Sequence, residues 1–388
     1  MDLKIFFSPI EEQVYLDIPT YNCFINSINI YGEKMPDYHG ADIALIGLQE
    51  EGSHLSYAAD HIRKKLYRLK SGKSRYKIID LGNLRSGMNL QESYLRIKEV
   101  CAILISENVL PVLIGGSHDL DYGQFQAYED LEKLISIINV DALFDMEDNK
   151  GEEVQHQHIH NILVHEPNYL FNYSHLAYQS YLVDPDEVST LERLYFDTYR
   201  LGDIRRDLQE MEPVIRNADM MSFDISAIKS SDAPGTTNPQ PFGLTGEEAC
   251  QICWYAGLNE KLSSAGFYNY NVAMDDSQKK TASVVATMIW YFVEGFYNRK
   301  NEKHFKSNDY LKYVVSLPYD PATMVFYKSK ISEKWWLEVP YPEGKKDRGK
   351  IHDTYSRNCI VPCSYTDYLA ANNGELPERW IATHAKLF

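Results

Sequence analysis

The chain is 388 residues long, 44% hydrophobic and 24% charged, which supports a large buried core and leaves no long stretch expected to be disordered. Its net charge of −16 argues against non-specific binding to nucleic-acid phosphates, which asks for clustered Lys and Arg, so a cationic or small-molecule partner fits better. The apolar opening Met1–Phe7 is too short and too soon interrupted by Pro9, Glu11 and Glu12 to read as a signal peptide, and six scattered cysteines fit reduced thiols, so a cytoplasmic protein is expected.

Residues 1–40 read as a lead-in of uncertain role. From Asp42 short β-rich runs alternate with amphipathic helical patterns, and residues 41–304 read as one α/β domain, a three-layer sandwich around a mostly parallel sheet. Ile43–Leu48 is a predicted strand, and Tyr57–Leu69 a helix with Ala58, Ile62, Leu66 and Leu69 on one face. Tyr76–Asp80 is the next strand. Gln91–Glu107 follows as a long helix, and Pro111–Ile114 as a buried strand that ends at Gly115-Gly116. Further strands are expected at Ile135–Val140, Arg193–Leu201, Met220–Phe223 and Gly266–Asn271. Cys250-x-x-Cys253 has no second pair to complete a zinc site and reads as core.

The most apolar stretch, Ala282–Val293, is too short for a membrane span and runs into Glu294, so it reads as a buried helix. Residues 305–388 form a C-terminal extension, with strands at Tyr310–Leu317 and Met324–Lys328, the packing pair Trp335-Trp336, and a Pro-, Gly- and Lys-rich run from Pro340 to Lys350. Too much of this extension is apolar for a loose tail.

His118, Asp141 and Asp224 each follow a predicted strand. In an open parallel sheet the carboxyl ends of the strands share one edge, so these three side chains are expected to meet in one crevice.

Three segments, in order, resemble the ureohydrolases, the family of arginase, agmatinase and formimidoylglutamase. Gly115-Gly116-Ser117-His118 is similar to that family's Gly-Gly-Asp-His, and Asp141-Ala142-Leu143-Phe144-Asp145 to its Asp-Ala-His-x-Asp. Ser222-Phe223-Asp224-Ile225-Ser226, with Ala233-Pro234-Gly235 and Gly243-Leu244-Thr245 beyond it, is similar to its Ser-x-Asp-x-Asp segment and the loop that follows. The resemblance implies a site for two manganese ions bridged by two carboxylates and a hydroxide. One metal's ligands would be His118, Asp141, Asp145 and Asp224, all present. The other would share Asp141 and Asp224, but its private ligands fall at Leu143 and Ser226, and neither can replace an imidazole or a carboxylate. The family's later Asp-Pro aspartate corresponds to Lys229, and the glutamate that meets a cationic substrate corresponds to Asn269.

Crowded carboxylates need a positive neighbour, and either one divalent metal, manganese first, or the Lys229 ammonium would serve; with no metal, hydrogen bonds must hold them. The run Gln155-His156-Gln157-His158-Ile159-His160, if extended, puts three histidines on one side as a metal clip. By resemblance His158 could shuttle protons; the other reading is a set of surface or subunit-contact histidines.

The expected function is that of a catalytically degenerate ureohydrolase-fold protein with a binding, scaffold or regulatory role, retaining one metal or none. The alternative is a formimidoylglutamase-like hydrolase of C–N bonds in linear amidines, using one metal. A homo-oligomer is expected, as in the relatives, with no membrane and no nucleic-acid partner.

Overall fold

The computed structural model describes residues 3–19, 21–50, 55, 57–147, 156–302, 307–340 and 359–387. In chain order the strands and helices up to the middle of the chain are β1 (Phe7–Ser8), β2 (Ile28–Ile30), β3 (Ile43–Leu48), α1 (Ala58–Leu66), β4 (Ile78–Leu84), α2 (Leu90–Ser106), β5 (Leu110–Ile114), α3 (Asp121–Asp130), β6 (Ile135–Val140), α4 (His158–Val164) and β7 (Leu170–Tyr178). There follow α5 (Pro185–Arg193), β8 (Asp197–Arg200), α6 (Leu201–Arg206), α7 (Met211–Arg216), β9 (Met220–Asp224), α8 (Gly246–Leu258), β10 (Ser264–Tyr268) and α9 (Lys280–Tyr297). Ten strands form one sheet in the order β1-β4-β3-β5-β10-β9-β6-β7-β8, with β2 against β4. Every pairing in it is parallel except that of β1 with β4.

The sheet is buried on both faces, and β3 shows how. Ile43 and Leu45 pack with Ala58, Ile62 and Leu66 of α1 and with Ile289 and Phe292 of α9. The alternate residues Ala44 and Ile46 pack with Ile97, Val100, Cys101 and Leu104 of α2. Successive strand residues point to opposite faces, so a continuous apolar run is what a strand between two helical layers requires. The result is a three-layer α/β/α sandwich.

The structure adds to the sequence reading at three points. The lead-in supplies β1 and β2, so it belongs to the sheet. The segment expected as a strand from Arg193 to Leu201 is split: Arg193 closes α5, the strand is Asp197–Arg200, and Leu201 opens α6. The interior strand β7 escapes a hydrophobic scan because it carries Asn172, Ser174 and His175, all buried polar residues.

Beyond α9, β11 (Tyr310–Ser316), β12 (Thr323–Ser329), β13 (Trp335–Glu338) and β14 (Ile360–Cys363) make an antiparallel sheet, followed by helices Tyr365–Asn372 and Glu378–Leu387. The boundary at 305 and most of the run from Pro340 to Lys350 lie outside the described residues. The sheet is docked on α7. Arg216 of that helix donates to the Trp335 carbonyl at 3.1 Å and stacks 4.4 Å from the Trp336 ring, and Lys334 pairs with Glu212 at 3.0 Å. Trp335 also stacks on Tyr368, with ring centroids 4.8 Å apart. Brief trypsin digestion of the native chain is therefore expected to leave β11–β13 associated with the core, and rapid loss of that region by mass spectrometry would contradict the docking.

No helix among the described residues is long and apolar enough to cross a membrane. All six cysteines are free. Cys253 is buried on α8, and burial, with Glu247 adding to it, pushes the Cys250 thiol up to about 12.

Candidate metal centre

Four neighbouring parallel strands, β5, β10, β9 and β6, deliver the site from their carboxyl ends. Phe267 pairs with Ile114 and Tyr268 with Asp224, while Val140 pairs with Phe223, so the residues just past each strand end fall side by side. After β5 the chain turns through Gly115 and Gly116, at φ +85 and +77. A Cβ on Gly116 would lie 2.6 Å from the Leu120 side chain, so both conformation and space call for glycine there. The turn delivers His118. Ser117, where the family's motif has aspartate, is held instead by Glu50, through its amide at 3.0 Å and its hydroxyl at 2.7 Å.

His118 is fully buried, and its Nδ1 faces three carboxylates: Asp141 Oδ2 at 3.1 Å, Asp224 Oδ2 at 3.1 Å and Asp145 Oδ2 at 3.7 Å. Among the described residues, neither His118 Nδ1 nor Asp141 Oδ2 has a hydrogen-bond partner, although both are buried. Buried polar atoms are normally satisfied, and a ring nitrogen and carboxylate oxygens converging without hydrogen-bond geometry are suited to a shared cation. His118, Asp141 and Asp145 offer ligand atoms all within 4.8 Å of one another. The donor set therefore fits one divalent metal.

The shifts in this cluster reflect crowded negative charge. Burial lowers the His118 pKa, but Asp141, Asp145 and Asp224 more than reverse this and raise it well above the ordinary imidazole value. Burial, with repulsion from Asp224 and Asp145, raises that of Asp141. Asp145 is also buried, yet the neighbouring His118, His156 and His158 hold its pKa well below the usual carboxylate range.

These carboxylates also accept hydrogen bonds from the chain. Asp141 Oδ1 accepts from the Leu143 amide at 3.2 Å and the Ser226 hydroxyl at 3.1 Å. Asp224 Oδ1 accepts from the Ser226 amide, and the Asn269 side-chain amide donates to Asp224 Oδ2. Asn269, at φ +65, also receives the His118 amide at 3.1 Å. Lys229 does not fill the place beside the carboxylates: it pairs with Asp232 at 3.4 Å and lines a surface cavity with Thr245 and Gly246.

This chain belongs to the arginase family. Residues 42–294 match that family's model. A formimidoylglutamase of Geobacillus sp. (strain WCH70) is 26% identical over 221 residues, 54% of this chain and 67% of that protein. Among solved structures, the formiminoglutamase of Trypanosoma cruzi with manganese superposes with a TM-score of 0.61 at 20% identity, over 69% of this chain and all of that one. The Bacillus subtilis formimidoylglutamase gives 0.63 at 16% identity, over 74% of this chain and 99% of that one. Set against the two-metal site that the resemblance implies, the ligand cluster of this arginase-family chain is incomplete and is consistent with a single divalent metal.

The histidine run behaves differently from an extended clip. Gln155 lies outside the described residues, His156 is in 3-10 conformation, and the chain is α-helical from His158. His156 Nδ1 meets Asp145 Oδ1 at 3.0 Å. His158 is fully buried, with Nδ1 2.8 Å from Asp121 Oδ1 and Nε2 3.2 Å from Asp145 Oδ2. Burial lowers its pKa, but Asp121 overcomes this and brings it to about 9. Both of its nitrogens are engaged within the protein. The sequence reading did not single out Asp121, and it gave Ser222 no role beyond its place in the Ser-x-Asp-x-Asp segment. Ser222 lies two residues before Asp224, so strand alternation puts both on one face, and Asp121 lies one turn after His118.

Proposed function

We propose that this chain is a non-hydrolytic member of the arginase family that holds one divalent cation, manganese first, through His118, Asp141, Asp145 and Asp224, and acts by binding a small molecule or a protein. The observation that carries the reading is the saturation of Asp141 Oδ1 by the Leu143 amide and the Ser226 hydroxyl. The carboxylate that would bridge to a second metal spends that oxygen on the chain, and the places of that metal's private ligands hold an aliphatic side chain and a neutral hydroxyl.

A cation here would supply Lewis acidity at one point. The other half of the family's chemistry, by resemblance, is a carboxylate facing a cationic substrate. Asn269 is neutral and already donates to Asp224, so it cannot form a charge-assisted pair with a guanidinium.

The test is elemental analysis of protein purified without chelator, followed by manganese titration. At most one equivalent per chain is expected, and Asp145→Ala should abolish binding, because it removes an anionic ligand that only this position uses. Arginine, agmatine and formimidoylglutamate should not turn over measurably with added manganese. Two equivalents would overturn the single-metal reading. Turnover of any of these with one equivalent would replace it with the alternative, a single-metal hydrolase of linear amidines like the formimidoylglutamases the chain resembles.

A further inference from the structure

Behind the carboxylates lies a further buried acid, Asp121, that the binding of a cation does not itself require. It is 0% exposed and its two oxygens are divided. Oδ2 accepts the Ser222 hydroxyl at 2.8 Å, and the same Ser222 oxygen lies 2.9 Å from His118 Nε2. Oδ1 meets His158 Nδ1 at 2.8 Å, and His158 Nε2 lies 3.2 Å from Asp145 Oδ2. One carboxylate thus reaches two of the cation's ligands, each through a single intermediate side chain.

Resting on the single-metal reading above, we propose that Asp121 is the positioning residue of that site, orienting His118 through Ser222 and Asp145 through His158. The chemistry of the first arm is directional. The Ser222 hydroxyl has one proton and gives it to Asp121, so its oxygen can only accept from His118. Nε2 must then carry the imidazole proton, and the lone pair is left on Nδ1, the atom that faces Asp141, Asp145 and Asp224. The second arm fixes the His158 ring, which in turn holds Asp145 Oδ2 in place. A buried carboxylate needs such donors in any case. Here both donors lead to the ligand set.

The same three residues, His118, Asp121 and His158, also have the spacing of a metal group of their own. In that arrangement Asp121 would be a ligand. Against it, the Ser222 oxygen lies between His118 Nε2 and Asp121 Oδ2, bonded to both, while those two atoms are 3.7 Å apart.

The experiment is a manganese titration by calorimetry of the full chain and of Asp121→Asn, Ser222→Ala and Asp145→Ala, with the visible spectrum of the cobalt-loaded proteins as a second readout. Removing an outer partner of a metal ligand costs on the order of 10–100-fold in affinity, so Asp121→Asn should weaken binding by that factor and Ser222→Ala, which breaks one arm, by less. The cobalt bands should stay at the wild-type energies in both, because the ligands are unchanged. One equivalent in the wild type with unchanged affinity in folded Asp121→Asn and Ser222→Ala would overturn the positioning role and leave the single-metal reading standing. Binding lost in Asp121→Asn but kept in Asp145→Ala would make Asp121 a ligand and overturn it as well. No binding in the wild type would remove both readings. If Asp121→Asn does not fold, Ser222→Ala decides by the same two readouts.

Discussion

Asp80→Ala is expected to lower the unfolding free energy by ~3–5 kcal/mol, the cost of leaving a buried charge without its partner. Arg63 on α1 and Asp80 on β4 are both fully buried. The guanidinium grips the carboxylate with two bonds, Nε to Oδ2 at 2.9 Å and Nη2 to Oδ1 at 2.8 Å, and Tyr67 adds a third at 2.8 Å. Burial works against the Arg63 charge, but Asp80 outweighs it, so the group stays protonated in the core. Alanine at 80 leaves that cation with the Gly82 carbonyl, Asn83 and the partly exposed Asp60. Domains are stable by roughly 5–15 kcal/mol, so the loss is a large share of the total. Reversible urea unfolding measures it. Replacing both partners, as Arg63→Met with Asp80→Leu, should cost less than Asp80→Ala alone, since no bare charge remains. A loss below about 1 kcal/mol in Asp80→Ala would mean that water or Asp60 takes over the role of Asp80.

That buried pair was not legible in the sequence, whereas the sheet around it largely was. Ile43–Leu48 and Ile135–Val140 are strands with the predicted bounds, because a run buried on both faces is apolar throughout and stands out. Arg63 and Asp80 sit seventeen residues apart on different elements, and their meeting depends on how α1 lies across β4. β7 was missed because its buried polar atoms are satisfied by tertiary partners that no local pattern encodes. Examples are the His175 nitrogen on the Asp141 carbonyl at 3.1 Å and Ser174 on Asp197 at 3.0 Å.

The candidate site divides along the same line. His118, Asp141 and Asp224 were expected in one crevice because each closes a parallel strand, and the structure brings them together with Asp145. What the motifs do not carry is the layer behind. Asp121 belongs to none of the matched motifs, Ser222 enters the Ser-x-Asp-x-Asp segment with no role of its own, and His158 came to notice through the spacing of the histidine run and its distance from Asp145. The assumption that the histidine run is extended hid its contact with Asp121, since helical geometry at His158 is what turns the ring inward. Lys229 illustrates the opposite error, in which position along a motif suggests a contact that the chain makes elsewhere, with Asp232.

Leu143→His combined with Ser226→Asp is expected to raise manganese binding from one equivalent per chain to two, whereas either change alone leaves it at one. Leu143 is half-buried in the loop after β6 and Ser226 lies buried in the turn after β9, on either side of Asp141 Oδ1. Ser226→Asp acts twice. It withdraws the hydroxyl that now donates to Asp141 Oδ1, which frees that oxygen, and it adds the negative charge a second divalent cation needs. Alone it should also destabilise the chain in chelator, because two like charges about 4 Å apart repel by ~4 kcal/mol at the effective dielectric of a protein site. Leu143→His then supplies the nitrogen donor. With both present, manganese should restore the thermal stability lost in chelator, since a ligand that binds only the folded state stabilises it by mass action. Lys229 need not be changed, because its ammonium is engaged by Asp232. Any hydrolysis should remain weak until Asn269→Glu is added, for only a carboxylate at that place can pair with a guanidinium. Manganese titration with thermal unfolding checks the prediction. If the double variant folds and still binds a single equivalent, Leu143 and Ser226 do not stand at the second metal's ligand positions.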